Sequence, residues 1–173
     1  MADLNGKKIL MVVAPENFRD EELEEPMGVF TRSGAEVTIA SKGVTRATGM
    51  FGAEVNVDKN LAEVSAEEYD AVIFVGGSGA AVYFNDSRAH ELATNALKGG
   101  KIVGAICIAP STLANAGLLK GKKATSFSSE KKNLKKRGAE YTGAAVERDG
   151  QIITGRGPEA AEEFGKEVAS AIE

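Results

Sequence analysis

The sequence has no tryptophan, one cysteine and one histidine, and only 6% of its 173 residues are aromatic. A single cysteine excludes an intramolecular disulfide, and one cysteine with one histidine supplies too few ligands for a zinc site. The scarcity of aromatic side chains predicts an aliphatic core. No apolar run approaches the roughly 20 residues that a membrane helix needs, so we expect neither a membrane span nor a membrane partner.

The sequence also lacks a large net charge. The formal net charge is −4, which argues against a general nucleic-acid binder. The first residues, MADLNGKK, lack the apolar core of a signal peptide, and together with the low cysteine count they predict a cytoplasmic protein. A composition of 43% hydrophobic and 27% charged residues is typical of globular proteins. Without repeats or linkers, we expect a single domain over residues 1–173.

Short apolar runs alternate with longer amphipathic segments along the chain. Strands are predicted at Lys8–Ala14, Glu36–Ala40, Ala71–Val75, Lys101–Ile106 and Lys122–Ser126, and helices at Asp20–Ser33, Ser87–Lys98, Ile108–Ala116 and Pro158–Ile172. Val44–Val57 has the pattern of an antiparallel excursion at a sheet edge. Asp149-Gly150 predicts a hairpin between Ala145–Val146 and Gln151–Thr154. Continuous apolar strands between helices predict an α/β fold, with a mostly parallel sheet covered on both faces.

Ligands of such sheets bind at the carboxyl ends of the strands, and Cys107 lies at one of these ends. It joins a predicted strand directly to a predicted helix, and Ala105 and Ala109 on either side are small, which favours a nucleophile elbow. A helix starting at Ile108 would point its N–H groups at the sulfur and lower the pKa of the thiol. Because cysteine is often fully buried, an inert packed cysteine is the alternative.

Other candidate residues occur at the same edge. Gly76 and Gly77 close the neighbouring strand, where the Gly77 N–H and the Ile108 N–H are candidates to bind an oxyanion; a plain tight turn is the alternative. Most carboxylates in Glu21–Pro26 are expected on the surface, but one turned inward would be an acid–base group or a partner of the thiol. His90 lies at this edge too, and a solvated histidine is the commoner case.

Four segments together resemble the ThiJ/PfpI superfamily, which includes archaeal intracellular proteases, glyoxalase and deglycase-type stress proteins and the Parkinson-associated deglycase. The segments are FRDEELEEP (Phe18–Pro26), DAVIFVGG (Asp70–Gly77), GAICIAPSTLANAGLLKGKKAT (Gly104–Thr125) and DGQIITGRGP (Asp149–Pro158). The resemblance covers Lys8 to Ile172. It implies a flavodoxin-like three-layer sandwich in which Cys107 occupies the nucleophile elbow.

The resemblance also implies roles for particular residues. Glu22 falls at the position of the carboxylic acid that hydrogen-bonds the reactive cysteine, Cys107. The amides of Gly77 and Ile108 match the oxyanion positions. Gly76, Phe127 and Arg156 are further candidates to line the pocket. No metal and no organic cofactor is expected.

Departures from the superfamily pattern bear on the reaction. Protease-like members carry histidine directly after the nucleophile, where this chain has Ile108, and the acid that orients it would fall near Ala81. A histidine that many deglycase-type members carry is Phe127 here. These positions therefore assemble no Cys–His–acid triad, and Ile108 is unable to protonate a leaving amine.

Three functions remain as hypotheses. The first is a cysteine-dependent enzyme that acts on small reactive carbonyls or glycated protein through Cys107 and Glu22. The second is a redox sensor or holdase-type stress protein that uses an oxidisable Cys107. The third is a C56-type peptidase or amidase, with His90 supplied by another subunit. The resemblance implies a homodimer or a larger homo-oligomer.

Overall fold

The apolar runs of the sequence assemble into a sheet flanked by helices. The computed structural model describes residues 2–173. The strands are β1 (Lys8–Val12), β2 (Glu16–Phe18), β3 (Glu36–Ser41), β4 (Arg46–Gly49), β5 (Glu54–Asn56), β6 (Lys59–Asn60), β7 (Ala71–Phe74), β8 (Ile102–Ile106), β9 (Lys123–Ala124), β10 (Glu140–Tyr141), β11 (Val146–Asp149) and β12 (Ile152–Gly155). The helices are α1 (Asp20–Arg32), α2 (Ser87–Lys98), α3 (Pro110–Asn115), α4 (Lys131–Lys136) and α5 (Ala161–Ile172). Short 3-10 helices cover Leu61–Glu63, Ala66–Glu68, Ser78–Tyr83, Ser128–Glu130 and Pro158–Ala160.

The central sheet is mostly parallel, as the sequence predicted. Its strand order is β11-β12-β8-β7-β1-β3-β6, and its neighbouring strands are parallel except in the β11–β12 hairpin. β1 lies inside the sheet, where Ile9 is opposite Val37 of β3 on one side and Ala71 of β7 on the other. This order places the carboxyl ends of β1, β7 and β8 next to one another.

Helices cover both faces of the sheet, which confirms the predicted α/β architecture. Successive side chains of a strand point to opposite faces. In β1, Ile9 and Met11 pack into the core that α1 and α5 cover, together with Phe164. Leu10 and Val12 pack into the core that α2, α3 and α4 cover. All five side chains are fully buried, and the result is a three-layer sandwich.

Local sequence fixes the ends of the long helices. Three acidic residues occupy the first turn of α1, where the positive end of the helix stabilises those that are ionised. Gly34, with φ +100°, ends the same helix, and there its N–H donates to the Thr31 carbonyl. The Asp86 carboxylate caps α2 by accepting the Ala89 N–H at 2.9 Å.

Two predicted elements differ from the structure near the site. The segment Lys122–Ser126 was expected as a fifth strand of the main sheet, but β9 pairs with β10 in a separate two-stranded sheet. Within the main sheet, β8 already lies between β7 and β12, and β11 covers the other side of β12, so no strand edge beside β8 is left for this segment. The helix expected from Ile108 begins at Pro110.

The predicted antiparallel excursion forms a second small sheet. β4 and β5 are antiparallel, and β2 joins them in the order β2-β4-β5. The turn between β4 and β5 carries two of the exposed large apolar side chains, Met50 and Phe51. Within residues 2–173, every helix is too short or too polar to cross a membrane.

Candidate active site

The candidate site lies where three adjacent strands end. β1 leads through a short loop to α1, which carries Glu22. β7 ends before Gly76 and Gly77, and β8 ends before Cys107. Because these strands are neighbours in the sheet, the fold brings Glu22, the Gly76–Gly77 turn and Cys107 together.

Cys107 has the backbone conformation of a nucleophile elbow. Its φ is +65°, a left-handed value that non-glycine residues seldom adopt and that stores strain. The strain is held by hydrogen bonds on both sides: the Cys107 N–H donates to the Gly155 carbonyl at 2.9 Å, and the Cys107 carbonyl accepts the Phe127 N–H at 2.7 Å. Ala105 and Ala109 are fully buried against this turn, so the small residues expected beside an elbow are present.

Glu22 is the buried acid of the site. Its side chain is 0% exposed, and no nitrogen or oxygen group of residues 2–173 hydrogen-bonds to either carboxyl oxygen. The Cys107 thiol is its polar neighbour: a Cβ placed on Gly76 would lie 2.3 Å from Glu22 Oε1 and 2.6 Å from Cys107 Cβ. Burial raises the pKa of Glu22 from 4.5 to about 8, an effect that the contact with Cys107 and the charge of Arg19 partly offset. The carboxyl group is therefore protonated at neutral pH.

Burial is also the largest influence on the pKa of the Cys107 thiol. It raises the pKa of Cys107 to about 12, and the charge of an ionised Glu22 contributes to this rise. The expectation of a lowered thiol pKa is thus wrong in sign. The amides of Gly77 and Ile108 nevertheless point at the sulfur and act in the lowering direction. Protonation of Glu22 removes the opposing charge, so the thiolate is best tolerated when Glu22 holds its proton.

Glycine is required at the position that supplies one of these amides. Gly77 has φ +104°, and a Cβ there would lie 2.3 Å from the Arg19 nitrogen and 2.6 Å from the Asn17 carbonyl oxygen. The Arg19 N–H donates to the Gly76 carbonyl at 2.9 Å. The start of α1 therefore packs directly on the Gly76–Gly77 turn, which fixes Glu22 relative to Cys107.

A small cavity opens next to the sulfur. Its volume is about 230 Å³, and it is lined by Arg19, Met50, Gly77, Ser78, Cys107, Ile108, Phe127, Ser129 and Pro158. Phe127, selected from the sequence, thus lies at the cavity, with 44% of its surface exposed. Arg156 does not line the cavity, because its guanidinium pairs with Glu159 at 2.9 Å and donates to the Gly143 carbonyl at 3.1 Å.

Sequence reasoning missed Arg19. Its guanidinium donates to both carboxyl oxygens of Glu21, at 2.8 to 3.2 Å, and its charged end lies 4.6 Å from the centre of the Phe51 ring. The charges of Glu22 and Cys107 act on it as well. The only sequence signal was one base directly before the acidic run, and nothing in that pattern indicates which way the side chain points.

Asp20 was also missed, and it holds the turn above the cavity. The carboxylate is buried and accepts the Phe51 N–H at 3.2 Å and the Ala53 N–H at 3.0 Å. This contact fixes the β4–β5 turn, including Met50 of the cavity wall, to the first turn of α1.

His90 lies away from the cavity. Its Nε2 is 2.8 Å from the Phe84 carbonyl oxygen of the same chain, and the residue does not line the space beside Cys107. Within residues 2–173, no group of three or more His, Cys, Asp or Glu side chains is placed to hold a metal ion.

Comparisons with known proteins show relatives in both sequence and fold. The sequence model of the DJ-1/PfpI family matches residues 7–171. The protein MJ0967 of Methanocaldococcus jannaschii is 42% identical over 99% of this chain and 85% of its own length. Deglycase PfpI of Pyrococcus furiosus is 37% identical over 87% of this chain and 90% of its own. The crystal structure of a ThiJ/PfpI domain protein from Brachyspira murdochii has a TM-score of 0.94 at 32% identity, covering 96% of this chain and 98% of that one.

Proposed function

The chain belongs to the DJ-1/PfpI family, and we propose that it is a cofactor-independent enzyme that converts reactive carbonyl compounds through Cys107 and Glu22. One observation carries the proposal: a strained cysteine, at φ +65°, lies between a buried carboxylic acid and two amides that point at its sulfur. A nucleophile, a proton carrier and an oxyanion site are the groups that carbonyl addition needs. Relatives named deglycases support the same class of chemistry.

The first step is addition of the thiol to an aldehyde. For methylglyoxal, the Cys107 sulfur bonds to the aldehyde carbon, and the carbonyl π electrons move to oxygen. Glu22 delivers its proton to that oxygen and takes up the thiol proton, which gives a neutral hemithioacetal. The Gly77 and Ile108 amides are placed to hold the oxygen while it carries negative charge.

The second step moves a proton between carbons. Glu22 first releases its proton to water. Its carboxylate then removes the proton from the carbon that bears sulfur while the neighbouring ketone oxygen takes up a proton from water, which gives an enediol. Glu22 returns its proton to the neighbouring carbon as the hydroxyl on the sulfur-bearing carbon loses its proton to water. The product is a thioester of a 2-hydroxy acid, which water hydrolyses to free the thiol. Methylglyoxal and water thus become lactic acid, with no oxidant or reductant. The raised pKa of Glu22, about 8, suits a group that gives and takes protons near neutral pH.

The test follows methylglyoxal loss and lactate formation with purified protein. We expect Cys107→Ser to reduce lactate formation to the uncatalysed rate and Glu22→Gln to reduce kcat by roughly 10²- to 10⁴-fold. Glu24→Gln is the matched control, because it removes an exposed carboxylate from the same helix. Unchanged turnover by Cys107→Ser would exclude the mechanism.

The surroundings of the sulfur favour a second candidate, a peroxide sensor. The thiolate would displace water from one peroxide molecule to form a sulfenate and from a second to form a sulfinate. Two amides and the Glu22 proton are available to hold the sulfinate oxygens. Mass spectrometry after mild peroxide treatment should show two added oxygen atoms on Cys107, and fewer in Glu22→Leu. Oxidation of methionines without Cys107 would contradict this candidate.

A further inference from the structure

Arg19 is the one charged side chain among the described residues that line the cavity. We propose that Arg19 binds a carboxylate on the substrate, so that the preferred substrates are 2-oxoaldehydes that carry a carboxylate at their other end. This inference rests on the proposed carbonyl chemistry and adds the substrate class.

Two neighbours fix the position of the Arg19 guanidinium and leave part of it free to bind a ligand. Glu21 accepts hydrogen bonds from Nε and one terminal nitrogen, and the Phe51 ring covers one face at 4.6 Å. No acceptor within residues 2–173 hydrogen-bonds to the remaining terminal nitrogen, Nη1. An arginine has five N–H donors in a rigid plane, so Glu21 orients the group and leaves donors for a second carboxylate.

The rest of the cavity suits a short substrate with two different ends. Cys107 and the Gly77 and Ile108 amides take the aldehyde end, and Arg19 lines the same cavity. The volume of about 230 Å³ lies below the roughly 300–1,000 Å³ that is usual for drug-sized ligands. Met50, Phe127 and other apolar side chains also line the cavity, so a short carbon chain fits its chemistry.

Acidic side chains near the cavity bear on which substrates need Arg19. Glu21 and Glu159 both act on the Glu22 carboxyl in the direction of like charge. Without Arg19, these acidic groups would repel a carboxylate-bearing substrate but affect a neutral one little. Loss of Arg19 should therefore change the order of substrate preference as well as the overall rate.

A suitable probe is 4,5-dioxopentanoate, in which a 2-oxoaldehyde is joined to a carboxylate by two methylene groups. By the proposed steps, it takes up one water and becomes 2-hydroxyglutarate, just as methylglyoxal becomes lactate. The comparison needs kcat/KM for both compounds with wild type, Arg19→Gln and Arg19→Lys. Arg46→Gln is the matched control, since Arg46 also pairs with a glutamate, at 2.7 Å, but is exposed on β4.

We expect wild type to prefer 4,5-dioxopentanoate. Arg19→Gln should lower kcat/KM for this compound by a factor roughly 10- to 100-fold larger than the factor by which it lowers the value for methylglyoxal. Arg19→Lys should fall between, because lysine keeps the charge but loses the planar fork, and Arg46→Gln should match wild type. An equal loss for both compounds, or no loss for the carboxylate, would overturn the inference.

A binding measurement separates this inference from the proposed reaction. In the Cys107→Ser background, calorimetry with 2-hydroxyglutarate and with lactate tests recognition without turnover. Tighter binding of 2-hydroxyglutarate that is lost in Arg19→Gln supports carboxylate recognition even if methylglyoxal is not converted. Turnover of methylglyoxal together with binding that is indifferent to Arg19 keeps the reaction and rejects the inference.

Discussion

Replacing Glu22 by glutamine should change how stability depends on pH, by an amount that follows from its burial. The pKa of this carboxyl is about 8 in the folded protein, against 4.5 as its ordinary value. Between these values the folded state binds the proton more strongly than the unfolded state, so unfolding free energy falls as pH rises from 4.5 to 8. The full difference corresponds to about 5 kcal/mol, a large share of the roughly 5–15 kcal/mol of a typical domain.

The assay is denaturant unfolding of wild type and Glu22→Gln at several pH values from 4.5 to 8.5, with reducing agent present. Glutamine mimics the protonated acid, so the two proteins should be similar in stability near pH 4.5. Above pH 8 the variant should be more stable, by up to about 5 kcal/mol. Cys107 titrates above this range and does not interfere. If the free energies of unfolding of wild type and Glu22→Gln differ by the same amount at every pH, Glu22 is not a buried, neutral acid.

Three further changes test the packing that holds the site together. Gly76→Ala forces a Cβ between Glu22 and Cys107, so it should destabilise the protein by roughly 1–3 kcal/mol; denaturant unfolding at wild-type values would contradict that contact. Asp20→Ala removes the acceptor of the Phe51 and Ala53 N–H groups, and hydrogen exchange at both amides should accelerate roughly tenfold or more. Tyr83→Phe deletes a buried hydroxyl that donates to the Val13 carbonyl, directly after β1, at 2.8 Å, with an expected cost of roughly 1–3 kcal/mol measured as a lower unfolding midpoint.

The main sheet was predictable because its inner strands are short, continuous apolar runs in the sequence. The run of Ala71–Phe74 is apolar throughout and buried on both faces, and α2 was predicted with its observed ends, Ser87 and Lys98. The prediction failed for Lys122–Ser126, because β12 occupies the side of β8 in the main sheet and β9 pairs with β10. Which strands become neighbours depends on segments far apart in the chain, and no local pattern records it.

The proximity of Glu22 and Cys107 was predictable, whereas the electrostatics of the candidate site and its other wall residues were not. Cys107 and Glu22 follow from the strand-to-helix junction and the family resemblance, and the structure brings them together. The sign of the thiol pKa shift did not follow, because it depends on how completely the surrounding layers exclude water. Arg19 and Asp20 were missed for a related reason: the direction of a side chain in a helix's first turn is set by what packs against it.

The hydrogen bonds on either side of the elbow have a consequence for synthesis on the ribosome. The strained turn at Cys107 is held by two hydrogen bonds. The Cys107 N–H donates to the carbonyl of Gly155, 48 positions later in the chain, and the Cys107 carbonyl accepts the N–H of Phe127. A nascent chain lacks both supports when Cys107 first emerges, and the last strand of the sheet must be released before the turn closes. Until then the thiol is an ordinary cysteine without its acid neighbour in place. Folding then buries the thiol and raises its pKa, so the labelling of Cys107 by a thiol reagent should slow once β12 has joined the sheet.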